Sequence, residues 1–473
     1  MEAIDRPNTL AIDAETMRAM GYRVVDMLVD RISRLGEDAA WRGASRAQLD
    51  AHLREPAPEA PTPFEDLLQT VQQHVLRYAA RVDHPRFMAF VPGSPTWPGI
   101  LGDFIGTGHN IFQGTWLGSS GPSALELVVI DWFREWIGYP ESAAGLLLSG
   151  GSAANLTALA CARLTHARDA SRAVIYHSDE AHSSVARAIR ILGFEHVRVI
   201  DTEAGHRLDP RRLEAAIRRD LDAGLEPHAV IASAGTTSTG AIDPIDGLAG
   251  VAEEHGLWLH VDAAYGGFAV LSSAGRSLFP GLERADSITL DPHKWLYQPF
   301  EAGCVLVRDG GRLHHAFSVS PHYLQDTAVE GEEVNFGERG FQLTRSARAL
   351  KIWLALKYFG LQPFRDAVDR SIALAVYAGE RISRSPRLEL LSPPSLGIVC
   401  FRRRFPEAPD RTDELNAALL GRLAESGLAL ISSTRVGGLY ALRLCILNHT
   451  TTRGDVDAVL DFLENGLGPA AAG

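Results

Sequence analysis

Residues 145–163 read GLLLSGGSAANLTALACAR. The apolar run GLLLS has the length of a buried strand, Gly150-Gly151 breaks it, and Ala153–Arg163 has the texture of a helix. A strand, a glycine turn and a helix begin a βα unit, and the pattern repeats outward. AVIYHS (173–178) precedes a helix beginning near His182. HVRVID (196–201), HAVIASAG (228–235), LWLHVDAA (257–264) and DSITLD (286–291) follow, each separated from the next by a helix or loop. This alternation predicts an α/β fold with a mostly parallel sheet covered on both faces. GCVLVRD (303–309) lies close enough to DSITLD to pair with it antiparallel.

The flanks differ. Residues 13–35 place Met17, Met20, Val24, Val25, Leu28 and Ile32 at helical spacing. EPAPEAPTP (55–63) reads as a linker or extended arm, and Asp66–Ala80 is helical again. The segment 1–84 is too thin for a core of its own and has to pack on something else, such as a second subunit. A large domain is expected over 85–360. At its end helix Ser346–Phe359 leads into a further helix and then the strands LGIVCFRR (396–403) and LYALRLCIL (439–447), which make a small α+β domain over 361–473. The charged, coil-like stretch 318–341 has the length of an active-site lid.

Composition narrows the classes. The chain has 473 residues, 46% hydrophobic and 22% charged, which excludes a disordered chain, a collagen and a coiled-coil rod. Lys plus Arg is 46 against 58 Asp plus Glu, a net charge of −12. That balance argues against a protein built to coat nucleic acid or an anionic membrane. Cys161, Cys304, Cys400 and Cys445 are dispersed, with no C-x-x-C pair and no zinc spacing, so no metal is expected and a reducing compartment is. MEAIDRPNTL carries no apolar signal region and no run of 18 apolar residues occurs, so a cytoplasmic location is expected.

Chemistry-bearing residues sit where the predicted strands end. Lys294 lies in Asp291-Pro292-His293-Lys294-Trp295; a partly desolvated lysine has a lowered pKa and attacks carbonyls. Asp262 ends LWLHV, facing the crevice where open α/β sheets bind ligands. Ser149-Gly150-Gly151-Ser152 opens a helix, whose free N–H groups suit a phosphate. It is neither G-x-G-x-x-G nor a Walker loop. His182 follows AVIYHS and can stack on a planar ring, and Gly235-Thr236-Thr237 supplies hydroxyls. Singly, each has an ordinary explanation: a surface lysine, a helix cap, a plain turn. Together they offer an amine, a carboxylate, an anion cradle and an imidazole on one sheet edge, the kit for pyridoxal 5′-phosphate.

The motif order resembles the pyridoxal-phosphate-dependent decarboxylases of the aromatic-L-amino-acid decarboxylase group (group II). The resemblance runs from about Asp13 to Thr452 and rests on HPRFMAFVP (84–92), ELVVIDW (126–132), SGGSAANL, HSS, GTT, HVDAAYGG, DPHKW, PHYL (321–324), RSARALKIW (345–353) and LRLC (442–445). It implies the aspartate aminotransferase-like architecture known as fold type I, with an N-terminal helical arm, and a homodimer with shared active sites to which Ile111–Trp116 contributes. It implies Lys294 as the Schiff-base lysine, Asp262 as the partner of the pyridine nitrogen, and His182 stacked on the ring near the substrate carboxylate. Gly151 and Ser152 match the phosphate pair, Thr237 a cofactor-contacting threonine, and His293 the lysine's neighbour. At Asp291 the family commonly has Asn; an anion beside a phosphate needs a bridging donor or another role.

Tyr323 matches the family's mobile-loop tyrosine, which returns a proton to the α-carbon after CO2 leaves. Relatives with Phe there become aldehyde synthases, so Tyr323 together with His182 favours an amine product. Phe90, Val91 and Pro92 match an apolar pocket wall. Met88-Ala89 stands where a glutamate decarboxylase shows Asn, which favours an apolar or aromatic side chain over glutamate or aspartate; an aromatic substrate (Tyr, Phe, Trp or DOPA) is expected, with decarboxylation of glutamate or 2,4-diaminobutyrate as the rival in the same class. A cofactor-binding protein without turnover would not need Lys294, His182 and Tyr323 together.

Overall fold

The computed structural model describes residues 10–166, 169–203, 205–319, 322–327, 329 and 331–466. Its strands, in chain order, begin with β1 (Phe87–Met88). Seven follow in the centre of the chain: β2 (Ala144–Leu148), β3 (Ala173–Ser178), β4 (His196–Ile200), β5 (Glu226–Ser233), β6 (Trp258–Asp262), β7 (Ser287–Leu290) and β8 (Gly303–Val307). Four more lie towards the C-terminus: β9 (Leu388–Leu390), β10 (Ile398–Arg403), β11 (Leu430–Val436) and β12 (Leu439–Cys445).

The central seven form one sheet in the order β2-β8-β7-β6-β5-β3-β4. Pairs β3/β4, β3/β5, β5/β6 and β6/β7 are parallel. Only β8 runs against its neighbours, pairing antiparallel with β7, as the short connection requires, and with β2. Strands β3, β6, β7 and β8 are buried at every position, which is why they read as continuous apolar runs rather than alternating ones. The helices Gly151–Thr165, Pro210–Asp222 and Ile245–His255 connect the parallel strands. One large core surrounds this sheet.

The second sheet has five strands, β1-β11-β12-β10-β9, and a separate core that includes Val399, Phe401, Leu442, Leu444 and Val459. Sequence reading put residue 87 at the start of the large domain, yet Phe87 and Met88 pair parallel with Leu430 and Ile431 of the small sheet. The chain therefore crosses between the two cores just before it builds the cavity wall.

Helix Ala14–Ser33 forms where the spacing predicts, but none of its residues is buried. Asp13 caps it, accepting from the Glu15 and Thr16 N–H groups at 2.9 Å each. The helix expected over Asp66–Ala80 breaks up into an α-helix at Phe64–Thr70, a π-turn at Val71–Val75 and a 3-10 turn at Leu76–Tyr78. Among the described residues no helix is long and apolar enough to cross a membrane. The four cysteines are buried and free.

Candidate active site

The C-terminal ends of β2, β3, β5, β6 and β7 open on one cavity of about 540 Å3. Lys294, Asp262, His182, Gly151, Ser152, Thr237, Asp291 and His293 all line it, as do Phe90 and Val91. Pro92 does not; it is buried beside the cavity wall. Tyr323 falls in the short 3-10 helix His322–Thr327, and its side chain lies outside the described residues. None of the described residues of 318–341 lines this cavity.

Asp262 is the last residue of β6. Its Oδ2 accepts from Asn155 Nδ2 at 2.8 Å and its Oδ1 from the Ala264 N–H at 3.2 Å. Asn155 lies one turn into the helix that starts at Gly151 and is wholly buried. It also donates to Ser184 Oγ at 2.9 Å, and its Oδ1 faces His260 Nε2 at 3.0 Å. A carbonyl oxygen can only accept, so His260 carries its proton on Nε2 and accepts at Nδ1 from Ser287 Oγ, 2.8 Å away. Ser287 in turn accepts from Trp258 Nε1 at 2.8 Å. Ser184 Oγ stands 2.8 Å from His182 Nδ1, and the Ser184 N–H points at the same nitrogen at 3.3 Å. His182 therefore holds its own proton on Nε2. One directed chain thus runs from Trp258 to both Asp262 and His182 and divides at Asn155. Burial keeps both imidazoles neutral: it pulls the His260 pKa down to about 4, and it also lowers that of His182 despite the Asp262 and Asp291 charges.

Lys294 Nζ lies 2.9 Å from Asp291 Oδ2. The expected lowering of the Lys294 pKa is not found. Burial does pull it down, but the Asp291 charge and hydrogen bond, with Asp262 behind them, outweigh that and raise it. His293 accepts the Ala302 N–H at Nδ1, 3.1 Å, and turns Nε2 towards Asp291 Oδ2 at 3.6 Å. Burial lowers its pKa too.

Two glycines shape the floor. A Cβ on Gly151 would stand 3.0 Å from both Asp291 Oδ2 and Ala264 Cβ, so the helix start is open only to a residue without one. Gly235 has φ +103° and would place a Cβ 2.9 Å from the Tyr265 ring. Tyr265 stacks on Trp295 at 5.2 Å and accepts the Gly397 N–H at 2.8 Å, tying the floor to the small domain. At the rim, Phe90 adopts φ +56°, a strained conformation for an aromatic residue. Arg443 Nη1 donates to its carbonyl at 2.6 Å and Ser432 Oγ accepts from its N–H at 3.4 Å.

Asn155, Ser184 and Tyr265 went unassigned in the sequence, although each lies within a quoted motif. The signal available for Asn155 was its place one turn into the glycine-started helix. Away from the cavity, Glu214, Glu254 and His255 bring ligand atoms within 4.8 Å of one another at the surface.

Residues 47–404 match the family model for the pyridoxal-dependent decarboxylase conserved domain. The chain is 40% identical over 450 residues to an aromatic-L-amino-acid decarboxylase of Bacillus atrophaeus, covering 94% of each protein. It is 30% identical to a phenylacetaldehyde synthase of Petunia hybrida, covering 97% of this chain and 95% of that one. Among solved structures it superposes on Oryza sativa TDC with PLP and tryptamine with a TM-score of 0.90, at 29% identity, over 96% of this chain and 97% of that one.

Proposed function

Because the chain belongs to the pyridoxal-dependent decarboxylase family, we propose that it uses pyridoxal phosphate to remove CO2 from an aromatic L-amino acid and release the amine. The observation that carries this reading is the gathering of Lys294, Asp262, His182 and the Gly151 helix start around one cavity. The donor set fits the cofactor. The helix starting at Gly151 opens on the cavity with no side-chain cap, so its first N–H groups suit a phosphate. Asp262, with Asn155 donating to it, suits a protonated ring nitrogen. Lys294 supplies the amine that would hold an aldehyde. When bound, the cofactor supplies an electron sink for the carbanion left by CO2.

The protein's share is positioning and proton control. Asp262 keeps the ring nitrogen charged, and the Asn155 amide holds that carboxylate in place. His182 presents Nε2–H towards the substrate carboxylate and stays neutral. Tyr323 delivers a proton to the substrate α-carbon, and the 318–341 segment excludes water during the reaction. Phe90 and Val91 form an apolar wall for the substrate ring. The reading includes a cytoplasmic homodimer, which would cover the unburied face of helix Ala14–Ser33.

The test is a single incubation of the protein and pyridoxal phosphate with an equimolar amino-acid mixture, read for amines, aldehydes and peroxide. Tyramine, phenethylamine, tryptamine or dopamine without peroxide is the expected outcome. Aldehyde with stoichiometric peroxide would favour the second reading, an aromatic aldehyde synthase, which the resemblance to the Petunia hybrida enzyme keeps in view. An amine from glutamate or 2,4-diaminobutyrate alone would overturn the aromatic assignment.

A further inference from the structure

Asp291 stands in a place that should repel the cofactor. It is 1% exposed, and its Oδ2 lies against the start of the helix, 3.0 Å from where a Cβ on Gly151 would stand. Its Oδ1 is buried with no hydrogen-bond partner. Its Oδ2 is bound to Lys294 Nζ at 2.9 Å, with His293 Nε2 next at 3.6 Å. Two further groups bear on the Lys294–Asp291 pair: Asp262 from β6 and His182 from the end of β3, both facing the same cavity. A buried carboxylate beside a phosphate is a like-charge pair in a low-dielectric site, the arrangement that drives one member to take up a proton. Lys294, meanwhile, cannot attack an aldehyde carbon while it is an ammonium ion. The two problems have one solution.

We propose that Asp291 takes the proton that Lys294 must lose when the cofactor is loaded, and remains a neutral acid that donates its O–H to the cofactor phosphate. The transfer breaks an Nζ–H bond and forms an Oδ2–H bond along the 2.9 Å contact. The neutral amine then condenses with the aldehyde, and the aldehyde oxygen leaves as water with the two remaining amine protons. Before loading, Asp291 is the counter-ion of Lys294; afterwards it is the bridging donor that a phosphate requires. The orphaned Oδ1 can only accept, before loading and after it; the donor that the phosphate requires exists only once Oδ2 carries the proton.

The inference rests on the pyridoxal-phosphate reading, and infrared difference spectroscopy separates the two. Cofactor-free protein is mixed with pyridoxal phosphate while the absorbance band of lysine-bound cofactor is recorded in parallel. Loading of the wild-type protein should produce a new carboxylic-acid C=O stretch, one per subunit, that shifts in D2O. The band should be lost in D291N, which still loads because an amide N–H can replace the O–H. It should persist, displaced, in D291E, so the assignment does not depend on D291N folding well. A wild-type protein that shows the lysine-bound absorbance without the carboxylic-acid band would overturn the proposal and leave the cofactor reading intact. An unchanged band in D291N would also overturn it. Failure of the wild-type protein to take up pyridoxal phosphate at all would remove both.

Discussion

At the scale of residues, what distinguishes this site is how few side chains are left free to choose an orientation. Asn155 spends its amide N–H groups on Asp262 and Ser184 and its carbonyl on His260, so a flipped amide would face donor with donor at His260 and acceptor with acceptor at Asp262. Replacing Asn155 by Ala would strand His260 Nε2–H and remove a donor from Asp262. The expected cost is about 1–3 kcal/mol of stability for the unsatisfied buried group, read by denaturant unfolding. Weaker retention of pyridoxal phosphate on dialysis should accompany it. Lys294→Ala is expected to abolish both amine formation and the lysine-bound absorbance band, while folding is retained, as checked by circular dichroism. Lys294, Asp262 and His182 were legible in the sequence because each ends or follows an apolar strand-length run, and sheet topology sends all such ends to one edge. Asn155 was not, because its partner Asp262 is 107 residues away and the pairing exists only once the helix packs on β6. The expected direction of the Lys294 pKa failed for a related reason: the sequence showed the apolar neighbours but not the 2.9 Å approach of Asp291.

Elements tell a similar story with larger parts. The parallel strands of the central sheet were legible because each carries a short run rich in apolar, mostly β-branched residues bounded by a turn, loop or helix. Strand β11 (LISSTRV) was not, since four of its seven residues are polar or charged and it lies in the smaller sheet. Strand β1 is two residues long and owes its existence to β11, more than 340 positions later in the chain. That crossing matters for the site, because it ends at Phe90, whose strained backbone is pinned by Arg443 of β12. A charged hydrogen bond to a carbonyl is worth about 1.5–3 kcal/mol, so Arg443→Met should cost roughly tenfold to a hundredfold in kcat/KM if that energy holds the pocket wall. The loss should fall mainly on KM and grow with the size of the substrate ring, as measured by steady-state kinetics across phenylalanine, tyrosine and tryptophan. Helix Ala14–Ser33 is amphipathic yet unburied, with Met17 55% and Ile32 40% exposed. Met17→Asp with Ile32→Asp is expected to leave the single-chain fold intact and shift the protein from dimer to monomer in sedimentation velocity.

For the whole molecule, the buried imidazoles set a limit on acid stability that is separate from catalysis. His228, near the start of β5 and remote from the cavity, is 3% exposed and its pKa is pulled down to about 4 by burial. His260 is lowered to about 4 for the same reason. In the unfolded chain both would titrate near 6.5. Above that value neither state binds a proton and the groups contribute nothing to the pH dependence. As pH falls from about 6.5 towards about 4 the unfolded chain takes up protons that the folded protein refuses, so stability declines. By pH 5 each group would cost about 2 kcal/mol. Asp243 works the other way: burial raises its pKa to about 6, so the folded state binds a proton first as pH falls and regains about 1 kcal/mol by pH 5. The balance favours unfolding in acid, and thermal scans at constant pyridoxal phosphate should show Tm falling between pH 7 and pH 5. His228→Leu isolates the effect. It removes a titrating group whose buried Nε2 has no hydrogen-bond partner, so Tm at pH 5 should rise towards its pH 7 value while kcat/KM at pH 7 is unchanged. A Tm profile as steep in His228→Leu as in the parent would place the acid sensitivity in the network around His260 and Asn155, where loss of stability and loss of cofactor would then occur together.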